Sequence, residues 1–178
     1  YHILILVKNK IGLKNLYELI SSSYLNNFYK KPLILRKELN ERRDGLILGT
    51  ACQQGELYKK IFQEYKEEEI ISCANYYDFL EIQPILNNQF LLKKVSGVTT
   101  DKLIEINKKI FDLGLKLNKL VCATGDSHFL NNEHSIFRKI IQAGQGYEDF
   151  DIQPPIFYKT TDEMMDDFSY LNENALKV

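Results

Sequence analysis

The feature that most constrains the fold of this chain is a regular alternation of short apolar runs with longer amphipathic segments. The apolar runs predict strands, and they lie at 2–7, 46–49, 78–83 and 120–124. The segments between them carry apolar residues three and four positions apart, which is typical of helices that pack on a sheet. Asn-Gly hairpin signals are absent. The alternation therefore predicts an α/β fold built from βαβ units, with a largely parallel sheet.

The amphipathic segments predict a series of helices, and two places are expected to be irregular. Helices are expected at 12–23, 36–43, from 55 onward, 67–74, 100–117, 133–142 and from 161 onward. Thr100 is the expected N-cap of the longest helix, because a threonine hydroxyl can accept a hydrogen bond from a free N–H group of the first turn. Irregular structure is expected at 24–35, where Pro32 breaks any helix, and at 85–98.

Composition and the start of the chain narrow the class of protein. The chain has 178 residues, of which 44% are apolar, and this suits one domain with its own core. Its net charge of −1 argues against nucleic-acid binding through overall charge. Three widely spaced cysteines form no disulfide framework, so we predict a reducing, cytoplasmic setting. The strand-like start at Tyr1 lacks the features of a signal peptide, and we expect the chain to be a piece of a longer protein.

Asp126 and His128 are the first candidates for chemistry. They follow the apolar run 120–124 and Gly125, and alternate side chains of an extended segment point to the same side. A carboxylate and an imidazole held side by side make a suitable pair of metal ligands. The alternative is that Asp126 caps the next helix and that His128 packs locally.

Further candidates lie near other strands, and the chemistry of parallel α/β folds collects at the carboxyl ends of strands. Cys52 follows the run at 46–49, and three interpretations stay open for it: a zinc ligand, a nucleophile, or a small buried residue. His2 begins the first strand and is either a ligand or a structural residue. Glu81 has apolar neighbours, and it either points into a polar cleft or pairs with a cation, because an unpaired buried carboxylate is costly.

A basic cluster could contact phosphate, but acidic neighbours dilute it, and a solvated charged surface is the simpler interpretation. The cluster comprises Lys30, Lys31, Arg36, Lys37, Arg42 and Arg43. Neither a phosphate-binding Gly-x-x-x-x-Gly-Lys loop nor a Gly-x-Ser-x-Gly turn is present in the sequence.

Several short blocks, taken in order along the chain, resemble the PolC type of bacterial replicative DNA polymerase III alpha subunit. The first blocks are 1–9 (YHILILVKN), 12–17 (GLKNLY), 44–47 (DGLI), 51–57 (ACQQGEL), 77–84 (YDFLEIQP) and 123–130 (ATGDSHFL). The later blocks are 143–146 (AGQG), 154–155 (PP), 160–164 (TTDEM) and 168–171 (FSYL). Each block is unspecific alone, but their common order is specific, and together they cover essentially the whole chain.

The resemblance implies a fold and a domain organisation. In that family the region is the second portion of the polymerase-and-histidinol-phosphatase (PHP) domain, a distorted seven-stranded β/α barrel. Residues 1–150 would then be the second portion of the PHP domain, and residues 151–178 a C-terminal extension leading toward the polymerase core. The PolC type carries a proofreading exonuclease inserted within the PHP domain, so we expect Tyr1 to follow such an insertion.

The resemblance also implies metal ligands. His2 matches the histidine that opens the family's His-x-x-x-Leu strand, and Cys52 matches the ligand after its Ser/Thr-Ala-Cys turn. Asp126 and His128 match the final Asp-x-His. The family's other ligands, including an early His-x-His, would lie upstream, so this chain would hold about half of a site.

The implied function of the complete domain is metal-assisted phosphoester hydrolysis with divalent ions, zinc or manganese. The isolated chain is expected to have little of this activity. The implied partners are the rest of the polymerase chain (upstream PHP portion, exonuclease and polymerase core) and DNA through the parent enzyme, with no membrane partner. Two alternatives stay open: a non-catalytic architectural module that braces the polymerase, and a stand-alone metal hydrolase of the PHP family.

Overall fold

The computed structural model describes residues 1–178, except for the side chain of Leu176. The strands are β1 Leu4–Val7, β2 Phe28–Tyr29, β3 Lys31–Pro32, β4 Leu46–Gly49, β5 Phe79–Ile82 and β6 Leu120–Ala123. The α-helices are α1 Lys10–Leu25, α2 Arg36–Glu41, α3 Glu56–Phe62, α4 Glu67–Tyr76, α5 Phe90–Lys94, α6 Thr100–Leu117, α7 Ser135–Gly144 and α8 Thr161–Asp167. Turns of 3-10 helix occupy Ile85–Asn88, Asn132–His134 and Ser169–Lys177.

The central layer is a four-stranded sheet in the order β1-β4-β5-β6. Strands β4, β5 and β6 run parallel, as the alternation of strands and helices predicts, and Leu80 of β5 lies opposite Val121 of β6. Strand β1 runs antiparallel to β4, with Leu4 opposite Gly49. The α/β fold with a mostly parallel sheet is therefore confirmed. The described residues contribute four strands to this sheet, and the seven strands of the implied barrel are not seen.

Three local predictions are wrong. The segment 24–35 contains a β2–β3 hairpin whose turn residue, Lys30, has a φ of 59°, and a lysine gives no turn signal where glycine or asparagine would. The segment 85–98 contains a 3-10 turn and helix α5 rather than a loop. The N-cap of α6 is Thr99 rather than Thr100, and its hydroxyl accepts a hydrogen bond from the N–H of Lys102 at 3.2 Å.

The core lies between the sheet and the helices that cover it. Leu48 and Leu80 on the sheet are fully buried, and Ile106 and Ile110 of α6 belong to the same hydrophobic cluster. Phe168, which follows α8, is also part of this cluster, so the C-terminal segment packs on the core that the strands build. No helix among the described residues has the length and apolar character needed to cross a bilayer.

Two glycines meet where helix α1 approaches the turn before β4. A Cβ atom on Gly12 would lie 1.8 Å from the carbonyl oxygen of Gly45, and Gly45 itself has a φ of 72°. The side chain of Asn9 caps α1 by accepting a hydrogen bond from the N–H of Gly12 at 3.0 Å. The N–H of Lys8 also donates to the carbonyl oxygen of Gly45, at 2.9 Å. This contact fixes one end of the β1–β4 pair, and the opposite end carries His2 and Cys52.

Candidate metal centre

Cys52 reaches the edge of the sheet through a constrained turn after β4. The buried hydroxyl of Thr50 accepts a hydrogen bond from the backbone N–H of Glu81 at 2.9 Å, which ties the turn to β5. Ala51 has a φ of 59°, a left-handed conformation that is uncommon for residues other than glycine. The N–H of Gly55 donates to the carbonyl oxygen of Cys52 at 2.7 Å. The turn therefore places a half-buried thiol at the carboxyl end of a parallel strand.

The antiparallel course of β1 brings His2 to the same edge. His2 forms an isolated parallel bridge with Gly55, and its backbone N–H donates to the carbonyl oxygen of Gln54 at 3.0 Å. Its Nδ1 atom lies 3.8 Å from the Sγ atom of Cys52. The fold thus makes neighbours of two donor side chains that are 50 positions apart in the sequence.

Asp126 and His128 form a second pair of donors after β6. The Nδ1–H of His128 donates to the backbone carbonyl oxygen of Asp126 at 2.8 Å, and Nδ1 lies 3.9 Å from Oδ1 of Asp126. Because a carbonyl oxygen only accepts, this hydrogen bond leaves Nε2 of His128 as the nitrogen available to a metal. Asp126 is not a helix cap, since the next helical turn begins at Asn132 and its N-cap is Asn131.

The two pairs line one cavity of about 350 Å³ at the carboxyl edge of the parallel strands. All four predicted residues, His2, Cys52, Asp126 and His128, belong to its wall. Within the described part of the chain, no three His, Cys, Asp or Glu side chains lie close enough together to hold one ion. The structure therefore brings the four residues to one cavity and keeps them as two separate pairs.

Glu81 of β5 adds a buried carboxylate to the same region. The residue is 5% exposed, and its Oε1 accepts hydrogen bonds from Nε2 of Gln83 at 3.0 Å and from Oγ1 of Thr124 at 2.5 Å. Its Oε2 is buried and has no hydrogen-bond partner among the described residues. Glu81 lines a second cavity, of about 610 Å³, together with His2, Cys52 and Asp126. Of the two alternatives for Glu81, the polar cleft is the one that the structure shows.

Burial and neighbouring charges shift the pKa values of several of these side chains. Burial raises the pKa of the Cys52 thiol, and the carboxylates of Asp126 and Glu81 raise it further. Burial also raises the pKa of Glu81. In contrast, burial lowers the pKa of His2, as does the positive charge of Lys31, so the imidazole is mostly neutral at pH 7 and able to bind a metal.

The donor set fits a divalent metal ion in its chemistry. Imidazole and thiolate ligands suit zinc, and imidazole with carboxylate also suits manganese. The unpartnered Oε2 of Glu81 supports this fit, because a nearby cation would lower the cost of a buried carboxylate. The residues present therefore match metal ligands in kind, and they lie as two pairs on one cavity wall.

Sequence reasoning missed several polar residues of the cavity wall. Arg138 and Gln142 come from α7, Asn87 comes from a 3-10 turn, and Asp149 comes from a loop. The Nδ2 of Asn87 donates to the carbonyl oxygen of Gly125 at 2.9 Å and so holds the loop that leads to the Asp-x-His pair. No local motif marks these residues, because their segments meet only in the folded chain.

Comparisons with known proteins agree with the blocks found in the sequence. The family model described as "PHP domain" matches residues 1–85. The "DNA polymerase III PolC-type" of Clostridium perfringens is 47% identical over 177 residues, which is 99% of this chain and 12% of the relative. The protein of the same name from Caldanaerobacter subterraneus is 48% identical, over 99% of this chain and 13% of the relative. The one from Bacillus subtilis is 41% identical, over 99% and 12%. The chain thus spans only about one eighth of the length of these relatives.

Proposed function

Because this chain belongs to the family of PolC-type DNA polymerases III and carries PHP-domain sequence over residues 1–85, we propose that its cavity is part of a metal-dependent phosphoesterase site within a longer replicative polymerase. The observation that carries the proposal is the convergence of His2, Cys52, Asp126 and His128 on one cavity wall. Donors from three distant parts of the sequence meet there, at the edge of the sheet where parallel α/β folds place their chemistry.

The proposal includes the finer features of the fold and the partners. The four-stranded sheet would be part of a seven-stranded β/α barrel, and the edge strands β1 and β6 have backbone groups that further strands could pair with. Residues 1–150 would form the second portion of the PHP domain, and 151–178 a C-terminal extension. The partners would be the upstream PHP portion, the exonuclease and the polymerase core of one cytoplasmic chain, and DNA through the whole enzyme.

The side chains have distinct tasks in this mechanism. His2 and His128 would bind zinc or manganese through imidazole nitrogens, Cys52 through its thiolate and Asp126 through its carboxylate. A bound divalent ion supplies polarisation of a phosphoryl oxygen and a water molecule of lowered pKa. The hydrogen bond from His128 to the carbonyl oxygen of Asp126 selects Nε2 as the ligating nitrogen. Glu81 favours a cation by its buried negative charge.

A non-catalytic, architectural role for the same metal site is the second candidate. It is favoured by one observation: no three of the described donor side chains are close enough to hold an ion together, and bracing the polymerase does not require a complete site in this chain. In this role bound metal would stabilise the fold of the polymerase without hydrolysing a substrate. A stand-alone hydrolase has less support, since the relatives are about eight times longer than this chain.

We expect this chain to bind Zn²⁺ or Mn²⁺, and the double variant Asp126→Ala with His128→Ala to lower the affinity by about tenfold or more, because one of the two donor pairs is lost. The measurement is competition with a chromophoric chelator, combined with elemental analysis of the dialysed protein. A matched control is Glu133→Ala with His134→Ala, at two positions that are absent from the walls of both cavities.

Two outcomes would count against the proposal. Equal metal affinity of the chain and its double variant would remove the assigned ligands. If the isolated chain hydrolysed a phosphodiester as fast as a complete PHP domain does, this would contradict the proposal that the chain holds only part of the site. Metal binding by the complete domain without any hydrolysis would favour the architectural role.

A further inference from the structure

We propose that Arg138 binds the phosphate group of a phosphoester in the cavity that the metal-donor residues line. This inference rests on the proposed function, because it names the group that recognises the substrate at the same site. Arg138 lies on α7, directly after the loop that carries the Asp-x-His pair, and its side chain shares the cavity wall with all four predicted ligands. No motif in the sequence marks this arginine.

Neutral amides hold the guanidinium in place. The Nη1 group of Arg138 donates to Oε1 of Gln153 at 2.8 Å and to Oε1 of Gln142 at 3.2 Å. Gln153 is itself fixed, since its Nε2 donates to Oε1 of Gln142 at 2.7 Å and to the carbonyl oxygen of Phe150 at 2.6 Å. The arginine is therefore positioned by a network of neutral groups, and none of its hydrogen bonds goes to a carboxylate.

None of the ion pairs among the described residues includes Arg138, although the hydrogen bond from Lys94 and the positive charge of Arg138 both lower the pKa of Asp149. Asp149 lies on the same cavity wall, but its carboxylate is paired with Lys94. Only Nη1 of Arg138 has acceptors in the described part of the chain, so Nε and Nη2 keep free N–H groups. An arginine that only braced the loop would need no further acceptor, whereas this one still offers the planar set of donors that suits phosphate oxygens.

The charges around the cavity explain why a phosphoester needs such a residue. Asp126 and Glu81 would repel a phosphate group, and a metal ion bound by the donor pairs would reverse that repulsion on one side. The guanidinium of Arg138 offers a second, permanent positive charge on the same wall. A phosphate held between a metal and an arginine is fixed in orientation, because charge-assisted hydrogen bonds from a guanidinium are directional.

The test is a titration of this chain with inorganic phosphate, and then with a thymidine dinucleotide, in phosphate-free buffer with and without Zn²⁺, which is diamagnetic and leaves nearby resonances visible. The Nε–H resonance of Arg138 is followed by ¹⁵N NMR and is assigned by its loss in Arg138→Lys. We expect this resonance to shift on titration. We also expect Arg138→Gln to weaken phosphate binding by about tenfold or more, as the loss of a charge-assisted hydrogen bond predicts. The matched control is Arg42→Gln, which removes an equal charge from an arginine that is paired with Glu18 and Glu41.

The outcomes separate this inference from the proposed function. Equal phosphate affinity of the chain and Arg138→Gln, no binding of either probe, or an unmoved Nε–H resonance would overturn the role of Arg138. Metal affinity is measured on the same samples, and Arg138→Gln should leave it within about twofold, because an arginine ligates no metal. If the unmodified chain binds no metal, this result would instead overturn the proposed metal site.

Discussion

Two residues at the cavities have a left-handed backbone conformation, which is uncommon for residues other than glycine. Ala51, just before Cys52, has a φ of 59°, and Asp126 has a φ of 51°. A left-handed conformation costs a residue other than glycine on the order of 1–3 kcal/mol, and such strain clusters at functional sites. Ala51 precedes the proposed ligand Cys52, and Asp126 is itself a proposed ligand. Their position therefore agrees with a site whose geometry is maintained at some expense of stability.

The buried carboxylate of Glu81 gives a prediction at the residue scale. Burial raises the pKa of the folded-state carboxyl above its ordinary value of 4.5. Its contribution to stability is thus fully present below pH 4.5 and is lost as the pH rises through the folded-state pKa. We expect Glu81→Gln to raise the free energy of unfolding of the metal-free chain at pH 8 by about 1–2 kcal/mol, because it removes a poorly compensated buried charge.

The measurement is urea denaturation of both proteins in the presence of a chelator, from pH 8 down to pH 4.5. The difference in the free energy of unfolding should shrink as the pH falls. The exposed Glu105→Gln on α6 is the control, and it should change stability by no more than about 0.5 kcal/mol at either pH. A difference that stays constant with pH would show that the carboxylate of Glu81 is compensated in the folded chain.

At the scale of elements, the strands that form the parallel part of the sheet could be predicted from the sequence. The run at 46–49 is a strand over the predicted residues, and β5 and β6 lie within their predicted ranges. Buried parallel strands are continuous apolar runs, and this is a local signal. The direction of β1 could not be predicted, because it depends on its pairing with β4. Even the nearest pair of that register, Val7 opposite Leu46, is 39 positions apart in the sequence.

The candidate site also has one part that could be predicted from the sequence and another that could not. The Asp-x-His pair could be recognised because its two residues are only two positions apart in the sequence and follow a strand. The approach of His2 to Cys52 depends on the antiparallel β1–β4 pairing, so motif matching named both residues without predicting their separation. The roles of Glu81 and Arg138 depend on hydrogen bonds across the fold, and sequence reasoning left the first open and missed the second.

The contact between α1 and the turn before β4 gives a prediction for elements. Gly12→Ala should lower the free energy of unfolding by about 3 kcal/mol or more, because the new Cβ would lie 1.8 Å from a backbone oxygen that cannot move without shifting β4. Gly144→Ala in α7 is the matched control, since nothing lies within 4 Å of its Cβ position. It should raise stability by up to about 1 kcal/mol through helix propensity. Thermal denaturation of both variants measures the contrast, and equal effects would refute the close packing of α1.

At the scale of the molecule, the last residues share the core of the sheet. We expect Phe168→Ala to lower the free energy of unfolding by about 3–5 kcal/mol, because the ring is 2% exposed within the main hydrophobic cluster. Phe137→Ala on α7, where the ring is 60% exposed, should change it by no more than about 0.5 kcal/mol.

Denaturation followed by circular dichroism and by tyrosine fluorescence measures this contrast. Coincident transitions are expected by both probes, since one core unfolds cooperatively. A separate, early transition that Phe168→Ala alone affects would show that residues 151–178 form an independent unit. The boundary at 150 would then separate two folding units rather than two regions of one.

The position of His2 has a practical consequence for handling the protein. Tyr1 lines the second cavity beside His2 and Cys52, so anything fused ahead of it emerges at the rim. A polyhistidine tag at that end would place imidazole groups that bind metal next to the cavity. The metal-to-protein ratio measured for the site would then be too high. An affinity tag placed after Val178, or one removed by proteolysis, avoids this error in the measured metal stoichiometry.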